Sequence, residues 1–264
     1  MKTVTIPFTT YGEAIPAALD RIGAAAVLGE QSRILIKPNL INADPHPVTT
    51  PAACCEALLR YIRNCSAAAI TIAEGCGIPD MTTDEIFARL GYTDLAGRWE
   101  VTLVDLNTAP CREVSHPANR RYPTMMLPEI AFTHYLISVP VLKAHSLADI
   151  TGALKNMMGL LPPRHYGRGG AWRKAAFHED LHQSIRELNA CRSPDLSVMD
   201  ASVGLSAFHL GGPSCDPPVA AIIAGVDPVA VDRRAAGLLG LDWRQIPHLE
   251  GPCKASKGSL ESCS

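Results

Sequence analysis

Several features of common functional classes are absent from this sequence of 264 residues. Its nine cysteines form no Cys-x-x-Cys pair, so the sequence contains no local motif for a zinc ribbon or a ferredoxin-type cluster. No apolar run reaches the ~18 residues of a membrane-spanning helix, and neither a Gly-x-Gly-x-x-Gly loop nor a Walker loop is present. Aromatic residues make up 5% and the net charge is -2, so we expect binding to neither nucleic acid nor an anionic membrane.

The overall composition is that of a globular protein. Hydrophobic residues make up 47% and charged residues 19%, and the length suffices for one large core. We therefore expect a single α/β domain over residues 1–264, with a sub-lobe or lid around residues 160–175. The first residues lack the apolar run of a secretion signal, and free thiols are typical of a reducing compartment, so the expected location is cytoplasmic.

Short apolar runs alternate with segments of helical spacing. Six runs rich in β-branched residues are predicted strands: Arg33–Lys37, Ala68–Glu74, Val101–Asp105, Tyr135–Val139, Leu196–Asp200 and Val219–Ala224. Five segments are predicted helices: Tyr11–Leu28, Thr50–Cys65, Thr82–Leu90, Trp172–Cys191 and Asp227–Leu239. The alternation predicts an α/β fold, with a mostly parallel central sheet, helices on both faces and Rossmann-like layering.

Charged or polar residues follow most of the predicted strands. Lys37 and Asn39 follow the first strand, Glu74 ends the second and Asp200 ends the fifth. In open parallel sheets, ligands bind beyond the carboxyl ends of the strands, so we expect these residues at a shared site. For each residue taken singly, the need for a water-tolerant strand end is an equally good explanation.

The fourth strand leads into a lysine-rich segment, Lys143-Ala-His145 followed by Thr151-Gly-Ala-Leu-Lys155-Asn156. Asp149 or Thr151 can cap a short helix here. A helix N-terminus flanked by lysines is a natural anion site, because its free N–H groups and its dipole add to the side-chain charge. The alternative is that both lysines are solvated surface residues.

A basic, glycine-rich segment follows, from Arg164 to Lys174. Loops of this composition can fold over an anionic substrate with glycines as hinges, so Arg164 and Arg168 are predicted to bind substrate. The alternative is an exposed loop without a role.

Residues 178–182 form a His-Glu-x-x-His motif. On a helix the two histidines share a face and can bind zinc, with the glutamate as base. No third ligand is recognisable and the helix has an apolar stripe, so we favour His178 as a single functional histidine. We therefore predict no metal site. The residues whose side chains are of the ligand type, were a metal bound, are His178, His182, Asp200 and Cys76.

The order of these motifs resembles that of the domain-of-unknown-function 362 family. The matching segments are Val139–His145, Thr151–Gly159, His178, Asp200, Gly211-Gly-Pro213 and Asp227–Asp232, with Lys37-Pro-Asn39 and Glu74-Gly75 in the amino-terminal half. Many members look like this chain with an appended ferredoxin-like module, which implies redox chemistry and an electron-donor protein as a partner. Here Cys253 and Cys263 lack cluster spacing. Electrons would then come from a partner, a cluster would form from dispersed cysteines such as Cys76, or the chemistry is not redox.

We predict an enzyme that acts on a small carboxylate- or phosphate-bearing metabolite. The predicted catalytic residues are Glu74, Lys143, His145 and His178, and the predicted substrate-binding residues are Lys37, Asn39, Lys155, Asn156, Arg164 and Arg168. The resemblance favours reduction with electrons from a partner or cofactor, an argument by analogy. The alternatives are a proton-transfer isomerase or racemase, a non-catalytic anion-binding protein, and a zinc hydrolase using His178 and His182. No motif identifies a cofactor. The candidate cofactors are an iron–sulfur cluster and a divalent metal.

Overall fold

The computed structural model describes residues 3–168 and 173–250, so the predicted lid around residues 160–175 is described only in part. The strands are β1 Thr3–Pro7, β2 Arg33–Pro38, β3 Ala69–Glu74, β4 Thr102–Asp105, β5 Cys111–Ser115, β6 Thr124–Pro128, β7 Tyr135–Val139, β8 Val141–His145, β9 Asp149–Thr151, β10 Leu196–Leu205 and β11 Ala221–Gly225. The α-helices are α1 Tyr11–Ile22, α2 Ala24–Gly29, α3 Ala52–Cys65, α4 Thr83–Arg89, α5 Tyr92–Trp99, α6 Ile130–Thr133, α7 Ala153–Asn156, α8 Pro163–Tyr166, α9 Leu181–Cys191 and α10 Pro228–Leu238. None of the helices in this part of the chain has the length and apolar character needed to cross a bilayer.

Nine strands form one sheet, whose main path runs β1-β11-β10-β7-β2-β3-β4. The strands from β10 to β4 are parallel to their neighbours, whereas β11 is antiparallel to both β10 and β1. The two remaining strands extend the sheet where β7 ends, with β8 parallel to the end of β10 and β9 antiparallel to β8. The central sheet is therefore mostly parallel, as predicted.

Alternate residues of the central strands pack into two separate cores. Ile34 and Ile36 of β2 contact the core formed with α1, α3, α4 and α5, whereas Leu35 contacts the core formed with α7, α9 and α10. Because successive side chains of a strand point to opposite faces, helices cover both sides of the sheet. The predicted α/β layering is confirmed.

All six predicted strands are present, but the prediction ended one of them early and missed five others, of which β8 and β9 lie at the site. Strand β10 continues beyond Asp200 to Leu205. Val141–His145, expected to follow a strand, is itself the strand β8. At Pro140, whose carbonyl accepts a hydrogen bond from the Asp200 N–H at 2.9 Å, the chain leaves its pairing with β2 and continues beside the extended β10 as β8.

Two predicted helices are interrupted. Tyr11–Leu28 divides at Gly23, whose φ of 73° is incompatible with a helix interior. Trp172–Cys191 contains instead a 3-10 helix, Ala175–His178, followed by α9. The two are separate because the Asp180 side chain accepts a hydrogen bond from a backbone N–H of α9 and starts a new helix there.

Helix α7 is capped by a distant residue rather than by Asp149 or Thr151. The buried carboxylate of Asp232, in α10, accepts hydrogen bonds from the first two backbone N–H groups of α7 at 2.6 and 3.0 Å. Burial raises the pKa of this carboxyl to about 7. A β-carbon on Gly152 would lie 2.3 Å from the carboxylate, so glycine is needed for the two segments to approach.

Candidate functional site

One cavity of about 310 Å³ lies at the carboxyl ends of the strands. Six of the predicted site residues line it: Asn39, Glu74, His145, Lys155, Asn156 and His178. Glu74 ends β3, His145 ends β8, and the others come from the segment after β2, from α7 and from the 3-10 helix Ala175–His178. The parallel topology brings these segments to one edge of the sheet.

A buried ion pair lies beside the cavity. Lys37 Nζ is 2.8 Å from Glu74 Oε2, and both side chains are excluded from solvent. The other carboxylate oxygen accepts a hydrogen bond from the Gly75 N–H at 2.8 Å. Lys37 Nζ also donates to Asn156 Oδ1 at 3.1 Å, and Asn156 Nδ2 donates back to the Lys37 carbonyl. Lys37 does not line the cavity, so its contacts orient Glu74 and Asn156 rather than a substrate.

Lys143 also lies behind the cavity wall. Its Nζ donates to Asn39 Oδ1 at 2.8 Å and to the Val48 carbonyl at 2.7 Å. Burial, with Lys155 nearby, lowers the pKa of Lys143 to about 7. Because Asn39 does line the cavity and Lys143 does not, we assign Lys143 a positioning role in place of the predicted catalytic one.

A fourth buried lysine, Lys174, has no counterpart among the predicted site residues. Its Nζ donates to the carbonyl oxygens of Gly75, Met158 and Gly159 at 2.7, 3.2 and 3.1 Å. No motif distinguishes it from the other basic residues of its segment. With Lys174, every lysine of the described residues is buried at this edge of the sheet, which is rare because lysine is usually solvated.

Lys155 differs from the other buried lysines in its lack of partners. It is 8% exposed and lines the cavity. Within residues 3–168 and 173–250, no hydrogen bond or ion pair engages its Nζ. Burial lowers the pKa of Lys155 to about 8, so the ammonium is the main form at neutral pH. Because a buried, unpaired cation is costly, a bound anion would offset the cost.

His145 is held in one neutral tautomer. Its Nδ1 accepts hydrogen bonds from the backbone N–H groups of Leu147 and Ala148 at 3.0 and 3.2 Å, so its proton is on Nε2. Burial, followed by the charge of Lys155, holds the pKa of His145 far below its usual value. His145 is therefore a hydrogen-bond donor at Nε2 and not a base at Nδ1.

His209 stacks on His145 with ring centroids 3.8 Å apart, and it also lines the cavity. Its buried Nδ1 has no hydrogen-bond partner among the described residues. Burial and Lys155 lower the pKa of His209 to about 3. It lies in an irregular loop after β10 without periodicity or a motif, so the sequence contains no signal for it.

His178 has the opposite tautomer to His145. Its Nδ1 lies 3.3 Å from the carbonyl oxygen of Lys174, which can only accept a hydrogen bond. The proton is then on Nδ1 and the lone pair on Nε2. Burial and the charge of Lys155 lower the pKa of His178, so it is neutral at physiological pH.

Neither predicted arginine lines the cavity. Arg164 donates to the Ala109 carbonyl at 2.8 Å and contacts Cys111 Sγ at 3.0 Å. Arg168 is mostly exposed and forms an ion pair with Glu179. The prediction that they bind substrate is not supported by these contacts, because both guanidinium groups are directed to protein atoms elsewhere.

The His-Glu-x-x-His motif does not form a zinc site in this structure. His178 ends the 3-10 helix whereas His182 lies in α9, so the two do not share a helix face. His182 Nδ1 contacts His248 Nδ1 at 2.9 Å instead. Within residues 3–168 and 173–250, no group of three or more His, Cys, Asp or Glu residues is placed to hold a metal ion.

Asp200 and Cys76, the other candidate ligands, are engaged by protein groups. Asp200 Oδ2 accepts a hydrogen bond from the Tyr11 hydroxyl at 2.7 Å and lies 3.2 Å from His46 Nε2. The buried Cys76 thiol donates to the Met81 carbonyl at 3.4 Å, and burial raises its pKa. Because no three such ligands are grouped in the described part of the chain, its residues do not fit an iron–sulfur cluster. The predictions for Cys253 and Cys263 lie outside the described residues.

Acid is expected to destabilise the fold, because the cavity imidazoles are held neutral. An unfolded histidine has a pKa of about 6.5, so below this pH the unfolded state takes up protons that His145 and His209 resist. Stability is thus fully present above about pH 6.5 and is lost as the pH falls. Thermal unfolding at about pH 7.5 and pH 5 should show a lower Tm in acid. The fall should be smaller in His209→Gln and unchanged in a variant of the exposed His165.

Comparison with known proteins agrees with the motif order. Residues 34–237 match the model of a family described as a domain of unknown function, DUF362. A thylakoid-associated protein of Synechocystis sp. is 25% identical over 227 residues, or 81% of this chain and 65% of that protein. The lactate racemase apoprotein of Thermoanaerobacterium thermosaccharolyticum aligns with a TM-score of 0.49 and 16% identity, over 76% of this chain and 50% of that one. The chain thus spans less than two thirds of either protein. The family match covers most of the chain, which belongs to the DUF362 family.

Proposed function

We propose that the cavity binds a small 2-oxo acid and that the protein catalyses proton transfer at the carbon next to its keto group. The observation that supports this most is Lys155, a buried cation for which the described residues supply no counter-charge. A single unpaired ammonium suits a single negative charge. It therefore fits a carboxylate better than a phosphate, which is close to a dianion at neutral pH.

Two imidazoles of opposite tautomer would supply the chemistry. His178 Nε2 would take a proton from C3 of the bound acid, while the electron pair of the broken C–H bond moves into an enolate. The Nε2–H of His145 would donate a hydrogen bond to the enolate oxygen and stabilise its developing charge. Exchange of the proton on His178 with water, followed by return of a proton to C3, completes hydrogen exchange at that carbon without an external electron donor. Glu74, whose oxygens are bonded to protein groups, would hold the cavity in shape.

Deuterium exchange tests the proposed reaction. In D₂O, the protein is expected to replace the C3 protons of 2-oxobutanoate faster than buffer alone, as followed by proton NMR. His178→Gln should lower this rate about 100-fold while the acid still binds, because a general base contributes roughly 10²–10⁴-fold. His182→Gln is the matched control, since this histidine contacts His248 outside the cavity.

Other functions predict other results. A carrier would bind the acid through Lys155 but cause no exchange above buffer. The proposal is wrong if no 2-oxo acid binds, or if Lys155→Met leaves the affinity unchanged. Redox chemistry with an electron-donor partner stays a prediction of the family resemblance. An absorption spectrum after anaerobic purification would reveal a bound iron–sulfur cluster or flavin.

A further inference from the structure

Large exposed apolar side chains are rare in the described residues, and most of them lie at the cavity. There are three, Val27, Leu147 and Phe208, with exposures of 41%, 57% and 43%. Leu147 lies in the turn between β8 and β9, Phe208 lies in the loop after β10, and both line the cavity. Exposed apolar groups gathered at a concave site are typical of ligand contact.

Among the residues that the structure describes, the same cavity contains further apolar side chains but only one unpaired cation. Ile41, Met158 and Leu210 also line it. The remaining lysines of the described residues each donate to protein oxygens, namely Lys37 to Glu74, Lys143 to Asn39 and Lys174 to Gly75. A second carboxylate on the ligand would therefore find no free cation among the described residues of the cavity, whereas a hydrocarbon group would find several contacts.

We infer that the substrate is a 2-oxo monocarboxylic acid with an apolar side chain, rather than pyruvate or a dicarboxylic acid. This inference rests on the proposed function, because the carboxylate is assigned to Lys155. The hydrocarbon chain would cover Leu147 and Phe208 and remove them from water. Removal of apolar surface from water is the source of the added affinity.

A series of straight-chain 2-oxo acids measures this contribution by isothermal titration calorimetry. Each added methylene should tighten binding about fourfold, so 2-oxohexanoate should bind about 60-fold more tightly than pyruvate, from which it differs by three methylenes. A second comparison holds the chain length constant. 2-Oxopentanoate should bind more tightly than 2-oxoglutarate, which has the same number of carbons and a second carboxylate.

Substitutions at the apolar side chains locate the contact. Phe208→Ser and Leu147→Ser should each reduce the dependence of affinity on chain length. Val27→Ser is the matched control, because this exposed apolar residue lies on α2 and does not line the cavity. It should bind the whole series as the unmodified protein does.

The possible outcomes separate this inference from the proposed function. Equal affinity along the series, or preference for 2-oxoglutarate, would overturn the apolar substrate class, while loss of binding in Lys155→Met would still support the proposed function. Binding that is indifferent to Lys155→Met, or no binding at all, would reject both. Sedimentation tests a second copy of the chain as the occupant. A dimer that dissociates in Phe208→Ser, with chain-length dependence unaltered, would count against a small-molecule contact.

Discussion

Replacing Lys37 by methionine is expected to destabilise the fold by about 3–5 kcal/mol. The substitution leaves the Glu74 carboxylate buried without the ammonium that lies 2.8 Å from it. The lost Coulomb attraction is large because the pair is fully excluded from water. Equilibrium unfolding in urea measures the change as a lower transition midpoint at constant slope.

Two further variants separate charge from packing. The double variant Lys37→Met/Glu74→Gln should recover most of the stability, because neither buried charge is left. If the two substitutions instead add their separate costs, the ion pair is not the cause. Arg98→Met is the surface control. This residue is paired with Glu56 at 3.2 Å but is 55% exposed, so its loss should cost less than about 1 kcal/mol.

Lys155→Met is expected to have the opposite effect on stability, with a gain of about 3 kcal/mol at neutral pH. Burial lowers the pKa of Lys155 to about 8, against about 10.4 in an unfolded chain. The unfolded state therefore holds this proton more tightly, and the charged lysine disfavours folding by the full amount wherever the pH is below about 8. The Tm should rise by roughly 5–10 °C. At the same time, 2-oxo acids should bind at least about 30-fold more weakly, because their carboxylate loses its cation.

The pH dependence of that gain identifies its origin. As the pH rises from about 8 to about 10.4, Lys155 loses its proton in the unfolded state as well, so the advantage of methionine should fade. Lys155→Arg keeps a permanent charge and should show no gain at any pH. A stability gain that is constant with pH would mean that packing, rather than the buried charge, explains the effect.

The fold was predictable from the sequence in those segments where a single pattern of residues dominates. Uniformly apolar runs identify the central strands, because strands covered on both faces need apolar residues at every position. Strand β8 gives no such signal, since Lys143 and His145 interrupt it. Its pairing with β10 depends on a partner distant in sequence. The break at Asp180 was equally hidden, because a capping aspartate and a solvent-facing one look alike in a helical pattern.

The site was predictable only in part for a similar reason. Residues next to strand ends, such as Glu74 and His145, were identified because topology alone brings them to one edge. His209 and Lys174 come from irregular segments, and only the tertiary structure brings them to the cavity. The sequence also did not distinguish lysines that hold the wall, such as Lys37, from the one that lacks a partner. That distinction depends on individual hydrogen bonds.

The capping of α7 by Asp232 has a consequence for synthesis of the chain. The acceptor and the first N–H donor are 79 residues apart in sequence. While the ribosome is still translating the intervening segment, the nascent chain has β2, β3 and β7 available but no carboxylate to fix the start of α7. Lys155, which lies on α7, therefore reaches its final position only after α10 has emerged, so nascent chains should acquire ligand affinity late in translation.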